Sequence, residues 1–182
     1  MEARRKSILQ KGKFLFSGSI ILILIFLIGC GTAKETTLDP QNFDELRDLV
    51  NNREFSIEFQ WAQPLGGGMI DLMSNPNHIR FKGEEVDIFL PYFGVRHRGG
   101  SYGNDSGGII YKGEISNLII TEESSKKQIL LRFEGKNDTE HLEFNVTLYE
   151  NGKAHARVSS SDRTNISYQG GDVKATPQIT EQ

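Results

Sequence analysis

Leu142-Glu143-Phe144-Asn145-Val146-Thr147-Leu148, then Tyr149-Glu150-Asn151-Gly152-Lys153, then Ala154-His155-Ala156-Arg157-Val158: apolar and polar side chains alternate on both sides of an Asn-Gly step. Alternation with period two marks half-buried strands, and Asn-Gly between two such runs marks a hairpin. A two-residue turn would set Leu148 opposite His155 and Val146 opposite Arg157, mixing apolar and charged groups on one face. A three-residue loop, Glu150-Asn151-Gly152, sets Leu148 opposite Ala154, Val146 opposite Ala156 and Phe144 opposite Val158. A slip of one residue turns every side chain to the other face, so the apolar pattern selects the longer loop. Gly152 is then expected in a left-handed conformation beside a bulge.

Working outward, the same period recurs. Phe55, Ile57, Phe59 and Trp61 alternate with Ser56, Glu58 and Gln60, which predicts one strand with Trp61 in the core. Pro64 and Gly66-Gly67-Gly68 close it. Further strands are expected at Met69–Met73, His78–Phe81, Glu85–Leu90, Ile109–Lys112, Ser116–Glu122, Lys127–Glu134 and Asn165–Tyr168. One segment has helical spacing: Phe43, Leu46, Leu49 and Val50, with Asp39 as the expected cap and Pro40 in the first turn. Many short strands and one helix predict a mainly β fold: a single antiparallel sandwich or barrel-like domain with one N-terminal helix packed on it.

The N-terminus carries a different signal. Arg4, Arg5, Lys6, Lys11 and Lys13 precede an apolar run from Phe14 to Ile28, and Leu27-Ile28-Gly29 leads into Cys30. A basic start, a short apolar core and a small residue at the cut are the parts of a secretory signal. The run falls short of the roughly 20 residues that span a bilayer. Leu27-Ile28-Gly29-Cys30 resembles the bacterial lipobox, which implies cleavage before Cys30 and acylation of its sulfur. Cys30 is the only cysteine, so no disulfide or thiolate metal site is available. Gly31 rather than Asp follows it, which favours the outer membrane.

These features divide the chain into a signal peptide (1–29), a lipid-anchored tether (30–38), an antiparallel β-domain (39–170) and a disordered tail (171–182). Cleavage leaves 153 of the 182 residues and a formal charge of −7, because the signal takes five of the 21 basic residues and one of the 24 acidic ones. So acidic a domain has no general attraction to nucleic acid or to anionic lipid.

One long segment, Pro91 to Gly108, has no strand pattern and holds six glycines in 18 residues. Loops of this length in a compact domain are usually functional or disordered. Tyr92, Phe93, Arg96, His97, Arg98 and Tyr102 are the candidate ligand-binding residues. Arg96 and Arg98 could grip an acidic group, and the rings could stack on a sugar or an apolar ligand. The bland alternative makes Tyr92 and Phe93 a plug at a strand end. Gly103-Asn104-Asp105-Ser106-Gly107-Gly108 has a superficial likeness to the nucleophile segment of chymotrypsin-type proteases, and His78 and Asp87 precede it. The chain is too short for that two-barrel fold, and the usual sequence around the histidine is missing. No histidine has metal-ligand spacing, and no cofactor motif is present.

Leu90-Pro91-Tyr92-Phe93-Gly94, the Gly-rich stretch to Ile109, Asn151-Gly152-Lys153-Ala154, and Ser161-Asp162-Arg163-Thr164-Asn165-Ile166-Ser167-Tyr168-Gln169-Gly170 occur in this order. Together they resemble an uncharacterised family of Bacteroidetes envelope proteins, domain of unknown function 4251, from about Phe43 to Gly170. The resemblance implies a lipoprotein with a mostly antiparallel β-domain; it carries no catalytic residue, cofactor or substrate. The expectation is a lipid-anchored outer-membrane protein, facing the periplasm or the cell surface. Its β-domain would bind an envelope protein, glycan or small ligand without catalysis. The alternatives are a structural envelope scaffold and, as the poorest fit, a hydrolase with an unrecognised active site.

Overall fold

The computed structural model describes residues 42–97, 108–137 and 140–176. Cys30, Arg98, Tyr102 and Ser106, together with the signal, the whole tether and the last six residues, lie outside this set.

The chain enters through helix α1 (Phe43–Asn52). Its cap is Asn42, not Asp39: the Asn42 side chain accepts from the Glu45 amide at 2.9 Å and donates to the Glu45 carboxylate at 3.0 Å. The first bond satisfies one orphan backbone donor of the first turn, and the second, between side chains, braces the cap. Leu46 and Val50 are buried, and Phe43 and Leu49 pack at their edge, as the spacing requires. Arg53 ends the helix in a left-handed conformation, its amide donating to Val50 O.

Eleven strands follow: β1 (Glu54–Glu58), β2 (Trp61–Pro64), β3 (Ile70–Asp71), β4 (His78–Lys82), β5 (Glu85–Pro91), β6 (Gly108–Glu114), β7 (Ser116–Glu123), β8 (Gln128–Lys136), β9 (His141–Tyr149), β10 (Lys153–Ser160) and β11 (Ile166–Ala175). Every pairing is antiparallel, in the order β6-β5-β4-β1-β11-β10-β9-β8-β7, with β2 on β11 and β3 on β2. First strand meets last, so the meander closes on itself. The two ends of this order, β6 and β7, are joined through the single residue Ile115. They are two halves of one bent strand, which pairs with β5 before the bend and with β8 after it. Ile115 donates to Glu84 O at 2.9 Å, and Asn117 takes a left-handed conformation (φ 52°) where the register shifts. The result is a nearly closed, up-and-down barrel.

The hairpin that set the fold class has the expected register: Leu148 pairs with Ala154, Val146 with Ala156 and Phe144 with Val158. Gly152 sits at φ 70°.

Besides the cap, two further expectations are corrected. Residues 55–61 do not form one strand with Trp61 in the core. β1 and β2 keep a single register on β11, from Phe55↔Ala175 to Gln169↔Trp61. Yet the buried face changes parity between them: Phe55, Ile57 and Phe59 are buried, then Ala62, while Trp61 is only half-buried. β11 changes parity at the same level, from Ile166 and Tyr168 to Gly171 and Val173. Toward β10 this is a bulge, with Gly170 at φ 66°. A Cβ on Gly171 would lie 2.8 Å from the Phe59 ring. The second correction concerns the tail: residues 171–175, expected to be disordered, continue β11; residues 172–175 pair with β1, Gly171 pairs with Ala154 of β10, and Val173 is buried.

The barrel interior is filled by side chains. Phe55 stacks on Phe81 (4.5 Å between centroids), Phe81 meets Phe133 edge-on (5.3 Å), and Phe133 stacks on Phe144 (4.8 Å). This chain of rings crosses from β1 and β4 to β8 and β9. Each such pair contributes about 0.5–1.5 kcal/mol beyond its buried area. Helix α1 plugs one end with Leu46 and Val50, and Arg47 ties it to β7 through Glu122 at 2.8 Å. The hydrogen bond from Arg47, seconded by Ser124, lowers the Glu122 carboxyl to about 2.

Candidate functional site

The opposite end of the barrel carries the candidate site. There β5 runs out at Pro91, β6 begins at Gly108, and β10 turns into β11 through residues 161–165. Two motifs some 70 residues apart meet at this point. The Thr164 amide donates to Val95 O at 3.0 Å, the Val95 amide donates to Thr164 Oγ1 at 3.2 Å, and the His97 amide donates to Asp162 O at 2.7 Å. Arg96 and Arg163 form an antiparallel bridge between the segments.

Tyr92 is buried inside this clamp. Its Oη lies 2.9 Å from Val95 O, 3.0 Å from Thr164 O and 2.9 Å from Thr164 Oγ1. A Cβ on Gly94 would fall 2.3 Å from that oxygen, so the Tyr92-Phe93-Gly94 turn admits only glycine in its third place. Tyr168 donates to Pro91 O at 2.8 Å. Burial pushes its phenol well above the usual tyrosine range and keeps it a donor.

At the centre lies a buried ion pair. Arg163 Nε and Nη2 donate to the two Glu140 oxygens at 2.9 and 2.8 Å, and the side chains are 5% and 2% exposed. Nη1 donates to Gly108 O at 2.9 Å, and the guanidinium sits over the Tyr92 ring at 5.1 Å. Ser160 donates to Glu140 at 2.6 Å. Burial pushes the Glu140 carboxyl up, but hydrogen bonds from Arg163 and Ser160 outweigh it and hold the group below its usual value. Arg163 thus holds both flanks of the Gly-rich segment: its backbone bridges Arg96 on one side, and its side chain holds Gly108 on the other.

The candidate residues separate accordingly. Tyr92 is an internal strut. Phe93 is 41% exposed, with Val95 beside it at 63%. Arg96 is half-buried and adds positive charge near Glu140, and His97 is exposed. Arg98 and Tyr102 lie outside the described residues. Nothing local in the sequence marks Glu140 as buried, and Arg163 is marked only by its place in the 161–170 stretch, two residues after Ser161 and beside a strand start. His78 and Asp87 do approach, at 3.3 Å on the outer face of β4–β5, while Ser106 lies outside the described set. A groove of about 550 Å³ lies between the β1–β2 bend and residues 72–77. Its carboxylates, Glu58 and Asp172, are paired with Lys174 and Lys153.

These elements define a class: a filled, nearly closed antiparallel barrel, plugged by a helix at one end and by a buried arginine–glutamate pair at the other. The sequence matches the family described as "Domain of unknown function (DUF4251)" over residues 37–171, and the chain belongs to that family. A similar solved structure is the crystal structure of a DUF4251 family protein from Bacteroides eggerthii DSM 20697. It shares 14% identity, with a TM-score of 0.58 over 75% of this chain and 89% of that one. A comparison with curated proteins finds no match.

Proposed function

We propose that this protein is a lipid-anchored envelope protein, held by Cys30 at the outer membrane, whose barrel is a non-catalytic binding module. The clamped end of the barrel is its recognition surface. One observation carries this reading: Phe93 and Val95 stand exposed on a segment whose backbone is fixed by hydrogen bonds to Asp162 and Thr164. A rigidly presented apolar side chain loses little freedom on binding, which favours affinity. The interior is packed with phenylalanine, so recognition at the surface suits this barrel better than a ligand enclosed in its bore.

The test is site-specific photocrosslinking in intact cells. A photoreactive phenylalanine analogue replaces Phe93 in one variant and Tyr149, at the opposite end of the barrel, in another. Crosslinked products are expected from position 93 and not from position 149. Equal yields at both positions, or none at 93, would refute the assignment. Loss of acyl labelling in Cys30→Ala tests the anchor separately.

A further inference from the structure

Of the nine large apolar side chains exposed among the described residues, four lie on two turns at one end of the barrel, while Met73, Ile110, Ile119, Ile120 and Tyr149 are spread over the rest of it. Leu65 is 71% exposed and Met69 52%, both on the β2–β3 turn; Phe93 and Val95 are on the clamped segment. Register joins the two groups. Ile166 pairs with Pro64, so Leu65 lies beside Asn165, and Val95 is hydrogen-bonded to Thr164. Leu65 and Val95 therefore flank the same two residues, 164 and 165, at the end of the barrel opposite α1. The four side chains form an apolar rim of separate tips on two turns, and His97 stands exposed next to it.

We infer that this rim docks on a phospholipid bilayer, with Leu65, Met69, Phe93 and Val95 entering the interface. The inference rests on the anchoring reading above and names the ligand of that same surface. Separate aliphatic and aromatic tips fit a fluid interface, which closes around each one; a protein partner would need a matching pocket for each. The tether permits this orientation. Eleven residues lie between Cys30 and Asn42, a reach of about 40 Å when extended. A nine-residue strand such as β9 is about 30 Å long. The acylated residue can thus share a bilayer with either end of the barrel. A lipid anchor and a shallow apolar contact together make a two-point attachment that sets the domain's orientation.

The test uses the full-length lipidated protein, in which acylation of the sole cysteine leaves no other thiol. Phe93→Cys, Leu65→Cys and, at the opposite end in the β7–β8 turn, Lys126→Cys each carry a polarity-sensitive dye. Each variant is reconstituted into phosphatidylethanolamine/phosphatidylglycerol vesicles containing spin-labelled lipid. Quenching at 65 and 93 is expected to exceed that at 126 at least twofold, with a blue shift only at the first two. Equal quenching at all three positions, or quenching confined to 126, would overturn the inference. Unlabelled wild-type protein gives a second readout: backbone amides of residues 66–69 and 93–95 should exchange more slowly on vesicles than in detergent micelles. Unchanged exchange there would also overturn it. If acyl labelling of Cys30 is intact and the tips stay wet, docking fails and anchoring stands. If Cys30 is not acylated, the reading beneath both fails.

Discussion

Arg163→Met should be among the most destabilising single substitutions in this domain. In the native barrel the guanidinium makes three hydrogen bonds, two to Glu140 and one to Gly108 O, with almost no solvent exposure. Methionine fills much of the volume and supplies no donor. Glu140 would then be a buried carboxylate that keeps the Ser160 hydroxyl and the nearby Arg96 charge but loses both guanidinium hydrogen bonds, and Gly108 O would lose this donor. Breaking a buried pair by removing one partner costs about 3–5 kcal/mol, against a total stability of about 5–15 kcal/mol for a domain. Urea unfolding at pH 7, followed by Trp61 fluorescence, would measure the loss as a lower midpoint at unchanged slope. The pH dependence has a definite sign. The wild-type Glu140 carboxyl is held below its usual value, so its contribution is present above the unfolded pKa and is lost as pH falls through the folded one. Without Arg163, burial dominates and raises that pKa, so acid relieves the variant. The gap between wild type and Arg163→Met should therefore narrow from pH 7 toward pH 4. Adding Glu140→Leu should recover most of the loss, because an apolar replacement of both partners is often neutral. A single-variant cost under about 1 kcal/mol, a gap that widens in acid, or simple additivity in the double variant would refute this account of the pair.

Gly171→Ala should cost about 1–3 kcal/mol, because its Cβ would sit 2.8 Å from the Phe59 ring; a neutral melting temperature would contradict the packing at the double parity change. Gly152→Val should cost more than about 1–2 kcal/mol, since valine is strained at φ 70°; chemical denaturation reads it. Burial, then the nearby Arg157, holds His155 below the usual histidine value, so stability falls as pH drops below the unfolded value. His155→Gln should flatten that fall as pH drops below 6.5, and an unchanged profile would exclude the residue. Cys30→Ala should abolish acyl labelling and detergent-phase partitioning, and persistent partitioning would sink the anchor.

The parts of the fold that were legible in the sequence are those a single strand specifies alone. The Asn151-Gly152 hairpin followed from side-chain alternation in two adjacent strands, and the stripe of α1 from helical spacing. What could not be read depends on two distant segments at once. Trp61 continues a perfect alternation, yet it turns away from the core because Gly170 and Gly171, more than 100 residues later, force both strands to change face together. The bend at Ile115 is equally silent, because Ile110 and Ile120 look like strand residues whichever neighbour they pair with. The site was half legible. The Gly-rich segment drew attention to Tyr92 and Phe93, but their division into strut and exposed tip depends on Thr164, and the buried charge at Glu140 depends on Arg163.

The two ends of the barrel differ for a reason rooted in the backbone. An α-helix satisfies its own amides and carbonyls, so α1 can cap one end with Leu46 and Val50 alone. The other end is covered by irregular chain and by the last residues of β5 and the first of β6, where the ladder runs out, and buried backbone acceptors there need partners. Three such carbonyls find a side-chain or backbone donor: Pro91 O takes Tyr168, Gly108 O takes Arg163, and Val95 O takes the Thr164 amide with Tyr92 beside it. Two tyrosines and an arginine thus do in side chains what a helix does in backbone, and Glu140 is there because the arginine would otherwise be a buried, unpaired charge. On this logic the polar cluster is first the means of closing a barrel with loops. Its functional consequence is indirect: closure of this kind fixes Phe93 and Val95 at the surface, where a plug that buried every apolar side chain would leave nothing exposed.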